Sequence, residues 1–151
     1  MIEAGKPFPE FTLPDQDGTT RTKKDFLGKW IIYYFYPKDN TPGCTIEAHG
    51  FKTALPEFHK LGADVVGISK DSPKSHKGFC DKQGLQFTLL SDTEKSLYGA
   101  AGINTKKFMG HTMFKRSTYI VDPKGNVATS LEDVMPLGHE KQCLEYVRAH
   151  R

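Results

Sequence analysis

The composition of this chain of 151 residues is that of an ordinary globular domain. Hydrophobic residues make up 37%, charged residues 26%, and the formal net charge is +3. No stretch approaches the ~20 apolar residues that cross a membrane, and the lysines are scattered among acids instead of forming a basic stripe. We therefore expect one domain over residues 1–151, with neither a nucleic-acid partner nor a membrane partner.

The three cysteines are too few for a disulfide scaffold in a chain of this length. The first seven residues also lack the basic start and apolar run of a secretory signal. Both observations favour reduced thiols and a cytoplasmic location.

The predicted elements alternate between strands and helices. The run from Trp30 to Tyr36 is aromatic and β-branched without polar alternation, which is typical of a strand buried on both faces. Ser72 and Pro73 match the N-cap and first position of a helix. In chain order we predict a hairpin over 11–20, strands over 30–36, 63–69, 87–91, 116–121 and 127–131, and helices over 42–61, 73–84, 94–100 and 138–150. The segment 104–115 is polar and basic and is predicted to be a loop. This order indicates an α/β fold around one mixed sheet.

The segment between the first long strand and the first long helix carries the reactive chemistry. Cys44 follows a turn at Pro42 and Gly43, in the first turn of the predicted helix. Unpaired N–H groups and the helix dipole there favour a thiolate, and such sites lower a cysteine pKa from about 8.5 to roughly 3.5–7.5. Thr41 offers a hydroxyl to the thiolate or to a substrate oxygen.

Two charged residues are candidates for the same site. Glu47 lies three residues after Cys44 and shares its helix face, although a solvated first-turn acid is an equally good interpretation. Arg116 opens a later strand, and an arginine beside Cys44 would stabilise the thiolate and the charge that develops on a departing oxygen.

The pattern Pro37-x-x-x-Thr41-x-x-Cys44 with a later Arg116 resembles the active-site signature of the peroxiredoxins. Segments 11–18, 34–38, 67–69, 90–92 and 116–118 resemble the bacterioferritin-comigratory, or Q-type, subgroup. The resemblance implies a thioredoxin-like fold with an N-terminal hairpin and a cofactor-free reduction of hydrogen peroxide and organic hydroperoxides. It also implies that Cys44 is the peroxidatic cysteine, that Thr41 and Arg116 polarise the peroxide, and that Pro37 shields the pocket.

The second thiol of the reaction is Cys80 by the same resemblance. Many members of the subgroup place a resolving cysteine five residues after the peroxidatic one, where this chain has His49. The surroundings of Cys80 resemble members in which the resolving cysteine lies in the following helix. That helix contains weak formers such as Gly78 and is expected to unfold locally. We therefore expect a Cys44–Cys80 disulfide within a monomer, recycled by thioredoxin or a glutaredoxin-type reductant.

Alternative functions remain open at this point. A one-cysteine peroxidase would use an external thiol, and a redox sensor would pass the oxidation of Cys44 to a partner. A thioredoxin-like disulfide exchanger would require C-x-x-C, but Thr41 stands where the first cysteine would be. Cys143 is expected to pack in the core. No C-x-x-C or H-x-x-x-H pair occurs, so no metal site is expected.

Overall fold

The computed structural model describes residues 1–151, in which strands and helices follow one another as the sequence predicts. The strands are β1 (Thr12–Pro14), β2 (Thr20–Thr22), β3 (Trp30–Phe35), β4 (Ala63–Ser69), β5 (Thr88–Ser91), β6 (Thr105–Phe108), β7 (His111–Phe114), β8 (Ser117–Val121) and β9 (Val127–Leu131). The α-helices are α1 (Pro42–Lys60), α2 (Pro73–Gln83), α3 (Ser96–Ala100) and α4 (His139–His150). None of these helices combines the length and hydropathy that a membrane-spanning helix requires.

A five-stranded mixed sheet forms the centre of the molecule, in the order β5-β4-β3-β8-β9. Strand β3 pairs in parallel with β4 and antiparallel with β8. Its side chains alternate between two cores: Ile32 and Tyr34 pack in the cluster built with α1, α2 and α4, while Tyr33 and Phe35 pack in the cluster on the opposite face. The predicted α/β fold, its buried central strand and its N-terminal hairpin are confirmed.

The prediction of a loop over 104–115 is wrong. Strands β6 and β7 form an antiparallel hairpin in which Phe108 is paired with His111. Met109 and Gly110 make the two-residue turn, both with positive φ (49° and 81°), as a tight hairpin with the usual strand twist requires. The sequence hides this hairpin because both strands lie largely exposed and lack a regular apolar alternation.

The second long helix, α2, has the predicted ends. The side chain of Ser72 accepts a hydrogen bond from the backbone N–H of Ser75, and Pro73 occupies the first helical position. Gly84 ends the helix in the left-handed conformation, with φ of 65°. This places Cys80 in the last two turns of α2, on its buried face.

Candidate active site

The loop from β3 to α1 places Cys44 in the first turn of the long helix. Asn40 adopts φ of 61° in that loop, a left-handed conformation that asparagine tolerates better than most residues. Thr41 is the N-cap in extended backbone, and Pro42 begins α1. The Cys44 side chain is 1% exposed and belongs to the core cluster of α1, α2 and α4.

Arg116 brings Cys44 and Glu47 together. Its Nη1 donates to the Cys44 sulfur and to Oε1 of Glu47, both at 3.2 Å. Arg116 lies one residue before β8, and its carbonyl accepts a 2.9 Å hydrogen bond from the N–H of Val134. The structure thus places Arg116 beside Cys44, as predicted. Glu47 is 1% exposed, so its interpretation as a solvated first-turn acid is wrong.

Burial dominates the electrostatics of the two acidic groups, Cys44 and Glu47. It raises the pKa of the Cys44 thiol above its ordinary value, against the opposing effects of Arg116, the Thr41 hydroxyl and the Lys38 backbone. The expectation of a lowered Cys44 pKa is therefore wrong for this closed site, because desolvation of the thiolate outweighs its partners. Burial likewise raises the pKa of Glu47 to about 7, although Arg116 favours its ionised form.

Gly43 makes room for Arg116. A Cβ atom at Gly43 would lie 2.6 Å from Nη2 of Arg116, closer than real Cβ contacts permit. The hydroxyl of Thr41 donates to the carbonyl of Lys38 at 2.9 Å, which holds the loop in its turn. Pro37 is half-buried at the end of the strand.

A cavity of about 490 Å³ opens beside Gly43 and Arg116. The β6–β7 hairpin contributes Phe108, which is 59% exposed, and the loop after β9 contributes Met135, which is 75% exposed. An apolar wall next to a reactive thiol suits a substrate that carries a hydrocarbon group.

The other two cysteines are free thiols away from the Arg116 contact. Cys80 is 6% exposed, and burial followed by the charge of Asp39 raises its pKa to about 12. Cys143 is fully buried, with its sulfur 4.0 Å from Nε2 of His139, so its predicted place in the core is confirmed.

Sequence reasoning missed a buried polar cluster next to the site. Asp39, from the loop before Cys44, lies within hydrogen-bond distance of His76 in α2. Both residues are buried. A lone aspartate and a lone histidine separated by more than thirty residues give no sequence pattern, and the weak apolar periodicity of α2 was the one available sign that polar groups anchor it.

A buried helix-start cysteine bonded to an arginine just before β8, on a mixed sheet flanked by helices, is the arrangement of a thiol-based enzyme of thioredoxin-like architecture. Residues 4–130 match the AhpC/TSA family. The chain is 42% identical over 149 residues to peroxiredoxin Bcp of Xanthomonas campestris, covering 95% of this chain and 93% of that protein. Its structure is similar to that of Xanthomonas campestris peroxiredoxin Q, with a TM-score of 0.90, 39% identity and 99% of each chain covered.

A further solved structure is that of the Xanthomonas campestris bacterioferritin comigratory protein, described in trapped intermediate and ligand complexes that bear on its alkyl peroxide reduction activity. It has a TM-score of 0.90 and 38% identity and covers 98% of this chain and 99% of that one. The chain belongs to the AhpC/TSA family and, within it, to the peroxiredoxins of the Bcp or Q group. It is therefore a thiol peroxidase, and the expected fold and enzyme class are confirmed.

Proposed function

We propose that Cys44 is the peroxidatic cysteine of this enzyme and that Arg116 is its electrostatic partner. The hydrogen bond of 3.2 Å from Arg116 to the Cys44 sulfur carries this proposal. The thiolate attacks one peroxide oxygen, the O–O bond breaks, and the other oxygen leaves as hydroxide or alkoxide and takes up a proton. Cys44 becomes a sulfenic acid. Arg116 stabilises the thiolate before attack and the leaving oxygen during it.

The neighbouring residues orient this pair. Glu47 accepts a hydrogen bond from the same Nη1 atom and so fixes the position of the guanidinium. Gly43 leaves space for Nη2, and Pro37 shields the pocket from water. When the peroxide binds, the Thr41 hydroxyl turns from the Lys38 carbonyl to the peroxide. The contacts of Glu47 and Gly43 with Arg116 support their roles, and the roles of Thr41 and Pro37 rest on the resemblance to the peroxiredoxins.

The enzyme reduces hydrogen peroxide and organic hydroperoxides. The Arg116 guanidinium interacts with the peroxide group alone, and this group is common to both kinds of substrate. The cavity beside Arg116, with its apolar side chains Phe108 and Met135, has room for the alkyl group of an organic hydroperoxide. The alkyl peroxide reduction described for the Xanthomonas relative agrees with this substrate class.

Cys80 resolves the sulfenic acid within the same chain. Its thiol attacks the Cys44 sulfur, the S–S bond forms, and the hydroxyl leaves with the thiol proton as water. In α2 the pKa of Cys80 is raised to about 12, so the thiol becomes a useful nucleophile only after the helix opens and burial is lost. Opening is required on geometric grounds as well, since a disulfide needs Cα atoms within ~7 Å of each other.

The remaining parts of the proposal concern the setting of the reaction. A resolving cysteine in the same chain allows the enzyme to work as a single-domain monomer. Thioredoxin or a glutaredoxin-type dithiol protein reduces the Cys44–Cys80 disulfide, and the absence of a scaffold of structural disulfides suits the reducing cytoplasm.

Intact-mass measurement after one equivalent of hydrogen peroxide tests the cycle. Wild type and the matched control Cys143→Ser should each become lighter by two hydrogen atoms. After proteolysis, the peptide that contains Cys44 should be linked by a disulfide to the peptide that contains Cys80 in both proteins. Cys80→Ser should gain oxygen and form no internal disulfide, and Cys44→Ser should not react.

Turnover separates the enzyme from the open alternatives. With thioredoxin, thioredoxin reductase and NADPH, wild type should consume many equivalents of peroxide. An internal disulfide in Cys80→Ser contradicts the role of Cys80. Oxidation of wild type that stops after one event, with every reductant, favours the redox sensor instead.

A further inference from the structure

A buried polar network joins the active-site loop to the helix that carries Cys80. One carboxylate oxygen of Asp39 lies 2.7 Å from Nδ1 of His76 and accepts a hydrogen bond of 2.9 Å from the Ser75 hydroxyl. The other oxygen accepts a hydrogen bond of 2.5 Å from the hydroxyl of Tyr36. Ser75 and His76 belong to the first turns of α2, whereas Asp39 lies five residues before Cys44.

The His76 ring faces oxygen acceptors at both nitrogens. Its Nε2 lies 3.0 Å from the carbonyl oxygen of Leu90. A carbonyl can only accept, so Nε2 must carry a hydrogen. The second nitrogen shares a proton with the Asp39 carboxylate, which makes this contact a charge-assisted hydrogen bond. Both side chains are at most 1% exposed, so water does not compete for the bond.

A second contact ties the loop backbone to the start of the same helix. The N–H of Asp39 donates to Oδ2 of Asp71 at 2.8 Å, and that oxygen also accepts from the Ser69 hydroxyl at 2.7 Å. Asp71 immediately precedes Ser72, the N-cap of α2. The loop is therefore attached to α2 through both its main chain and its Asp39 side chain.

Few buried side chains hold α2 against the body of the protein. Its other links are exposed: Lys77 pairs with Asp17, and Gln83 is bonded to His49 and Lys52 of α1. The buried side chains of α2 are those of His76, Phe79 and Cys80. A Cβ atom at Gly78 would meet nothing within 4 Å, so no packing contact requires this helix-weakening glycine. Of the three buried groups, His76 makes polar bonds to two other parts of the chain. Breaking them would remove the buried polar bonds that the His76 side chain makes between α2 and the rest of the protein.

We propose that Asp39 and His76 are positioning residues whose bond keeps α2 closed and so sets the rate at which Cys80 is released toward oxidised Cys44. This inference rests on the proposed Cys44–Cys80 disulfide. The pair acts on the second step of the reaction, in which the Cys80 thiol displaces the hydroxyl of the Cys44 sulfenic acid as water. The charge of Asp39 also raises the pKa of Cys80, and opening of α2 removes that effect together with the burial.

The test compares Asp39→Asn with the matched control Asp92→Asn. Asp92 is also a buried aspartate next to a helix start, where it accepts hydrogen bonds from Ser96 and the N–H of Tyr98, neither of which belongs to α2. Amide hydrogen exchange of the reduced protein should be about tenfold faster over residues 73–83 in Asp39→Asn, because the charged acceptor of these hydrogen bonds is replaced by a neutral amide that binds its partners more weakly. Exchange in α4 should not change.

Rapid-quench mass measurement after one equivalent of peroxide gives the functional result. In Asp39→Asn the conversion of sulfenic acid to disulfide should accelerate by about tenfold, while Asp92→Asn converts at the wild-type rate. Ser75→Ala, which removes one neutral donor to Asp39, should shift both measurements in the same direction by a smaller factor. It provides the test if Asp39→Asn does not fold.

Each contrary result has a distinct meaning. A wild-type protein that forms no Cys44–Cys80 disulfide overturns the proposed function. A normal wild-type disulfide with unchanged conversion in both Asp39→Asn and Ser75→Ala overturns the role of the Asp39–His76 pair. Exchange that rises equally in α2 and α4 also overturns it, because the pair would then support the whole fold and not α2 in particular.

Discussion

Replacement of Arg116 by methionine tests how the buried thiol becomes reactive. Methionine fills much of the same space but removes the donor that lies 3.2 Å from the Cys44 sulfur. A hydrogen bond to a charged group contributes about 1.5–3 kcal/mol, which corresponds to a rise of about 1–2 pH units in the pKa of Cys44. Because burial already raises this pKa, the thiolate fraction at pH 7 should fall about 10- to 100-fold.

Two assays separate the two roles assigned to Arg116. Alkylation by iodoacetamide depends on the thiolate alone and should slow by that factor. The reaction with hydrogen peroxide also depends on stabilisation of the departing oxygen. Loss of the donor to that oxygen should lower the rate of peroxide reduction by a further ~10²–10³-fold. Arg116→Lys should recover alkylation more than peroxide reduction, because lysine keeps the charge but not the planar set of donors.

The matched control is Arg148→Met, which removes an exposed arginine that pairs with Glu57 on the surface. It should leave both rates unchanged. If Arg116→Met slows alkylation and peroxide reduction by the same factor, Arg116 does not act on the leaving oxygen. If neither rate changes, the electrostatic reasoning for the whole site is refuted.

Four further predictions concern the candidate site and the core beside it. Gly43→Ala should lower peroxidase activity by about tenfold or more with little loss of helix content, because the new Cβ displaces the guanidinium of Arg116 and small misplacements of catalytic groups are costly. Burial raises the pKa of Glu47 from 4.5 to about 7, so the folded wild-type protein binds a proton between these pH values that the unfolded chain does not, and its free energy of unfolding rises as the pH falls. Glu47→Gln lacks this proton and should fall about 3 kcal/mol behind wild type between pH 7 and pH 4.5 in urea titrations. Burial lowers the pKa of His139 to about 4, so between pH 6.5 and pH 4 the unfolded wild-type chain binds a proton that the folded protein does not, and wild type loses stability. His139→Gln avoids this loss, and its free energy of unfolding should gain about 3 kcal/mol relative to wild type over that range. Phe108→Ser should raise KM for cumene hydroperoxide and leave KM for hydrogen peroxide unchanged in steady-state assays, because Phe108 lines the apolar wall of the cavity.

The chain provides controls for these variants. Gly99→Ala adds a Cβ that meets nothing within 4 Å and should retain full activity. Leu27→Ser removes another exposed apolar side chain, 45% exposed, without touching the cavity. Wild-type activity in Gly43→Ala would contradict the prediction for Gly43. The prediction for Glu47 is wrong if wild type and Glu47→Gln lose stability in parallel as the pH changes. Equal changes in KM for both peroxides in Phe108→Ser would contradict the role of Phe108.

Local patterns predicted much of the fold because they report local physics. The unbroken apolar run of β3 can only be buried on both faces, and the Ser72-Pro73 pair satisfies the start of α2. The β6–β7 hairpin escaped prediction because its strands are largely exposed. Its pairing depends on the turn at Met109 and Gly110, which lacks the usual asparagine-glycine signal.

The candidate site, like the fold, could be predicted only where it depends on local sequence. The position of Cys44 at a helix start is a local property, and the spacing of its motif located it. The pKa of Cys44 is not local, since it depends on how completely the rest of the fold removes water from the thiol. The burial of Glu47 and the Asp39–His76 pair depend on chain segments that meet only in three dimensions.

The two thiols of the proposed cycle are both buried but have different partners, and this difference orders the proposed steps. Cys44 is buried but remains bonded to Arg116, so a peroxide that reaches the guanidinium meets the nucleophile and its electrostatic partner together. For Cys80 the favourable charge of Lys77 is outweighed by burial and by Asp39, and a pKa of about 12 keeps the thiol protonated while α2 is folded. It therefore cannot compete for peroxide before Cys44 has reacted.

The same arrangement has a cost, because a sulfenic acid that waits for α2 to open is exposed to a second peroxide and to irreversible oxidation. The strength of the Asp39–His76 bond then sets a compromise: a stronger bond keeps the reduced site intact, and a weaker one shortens the time during which Cys44 can be over-oxidised.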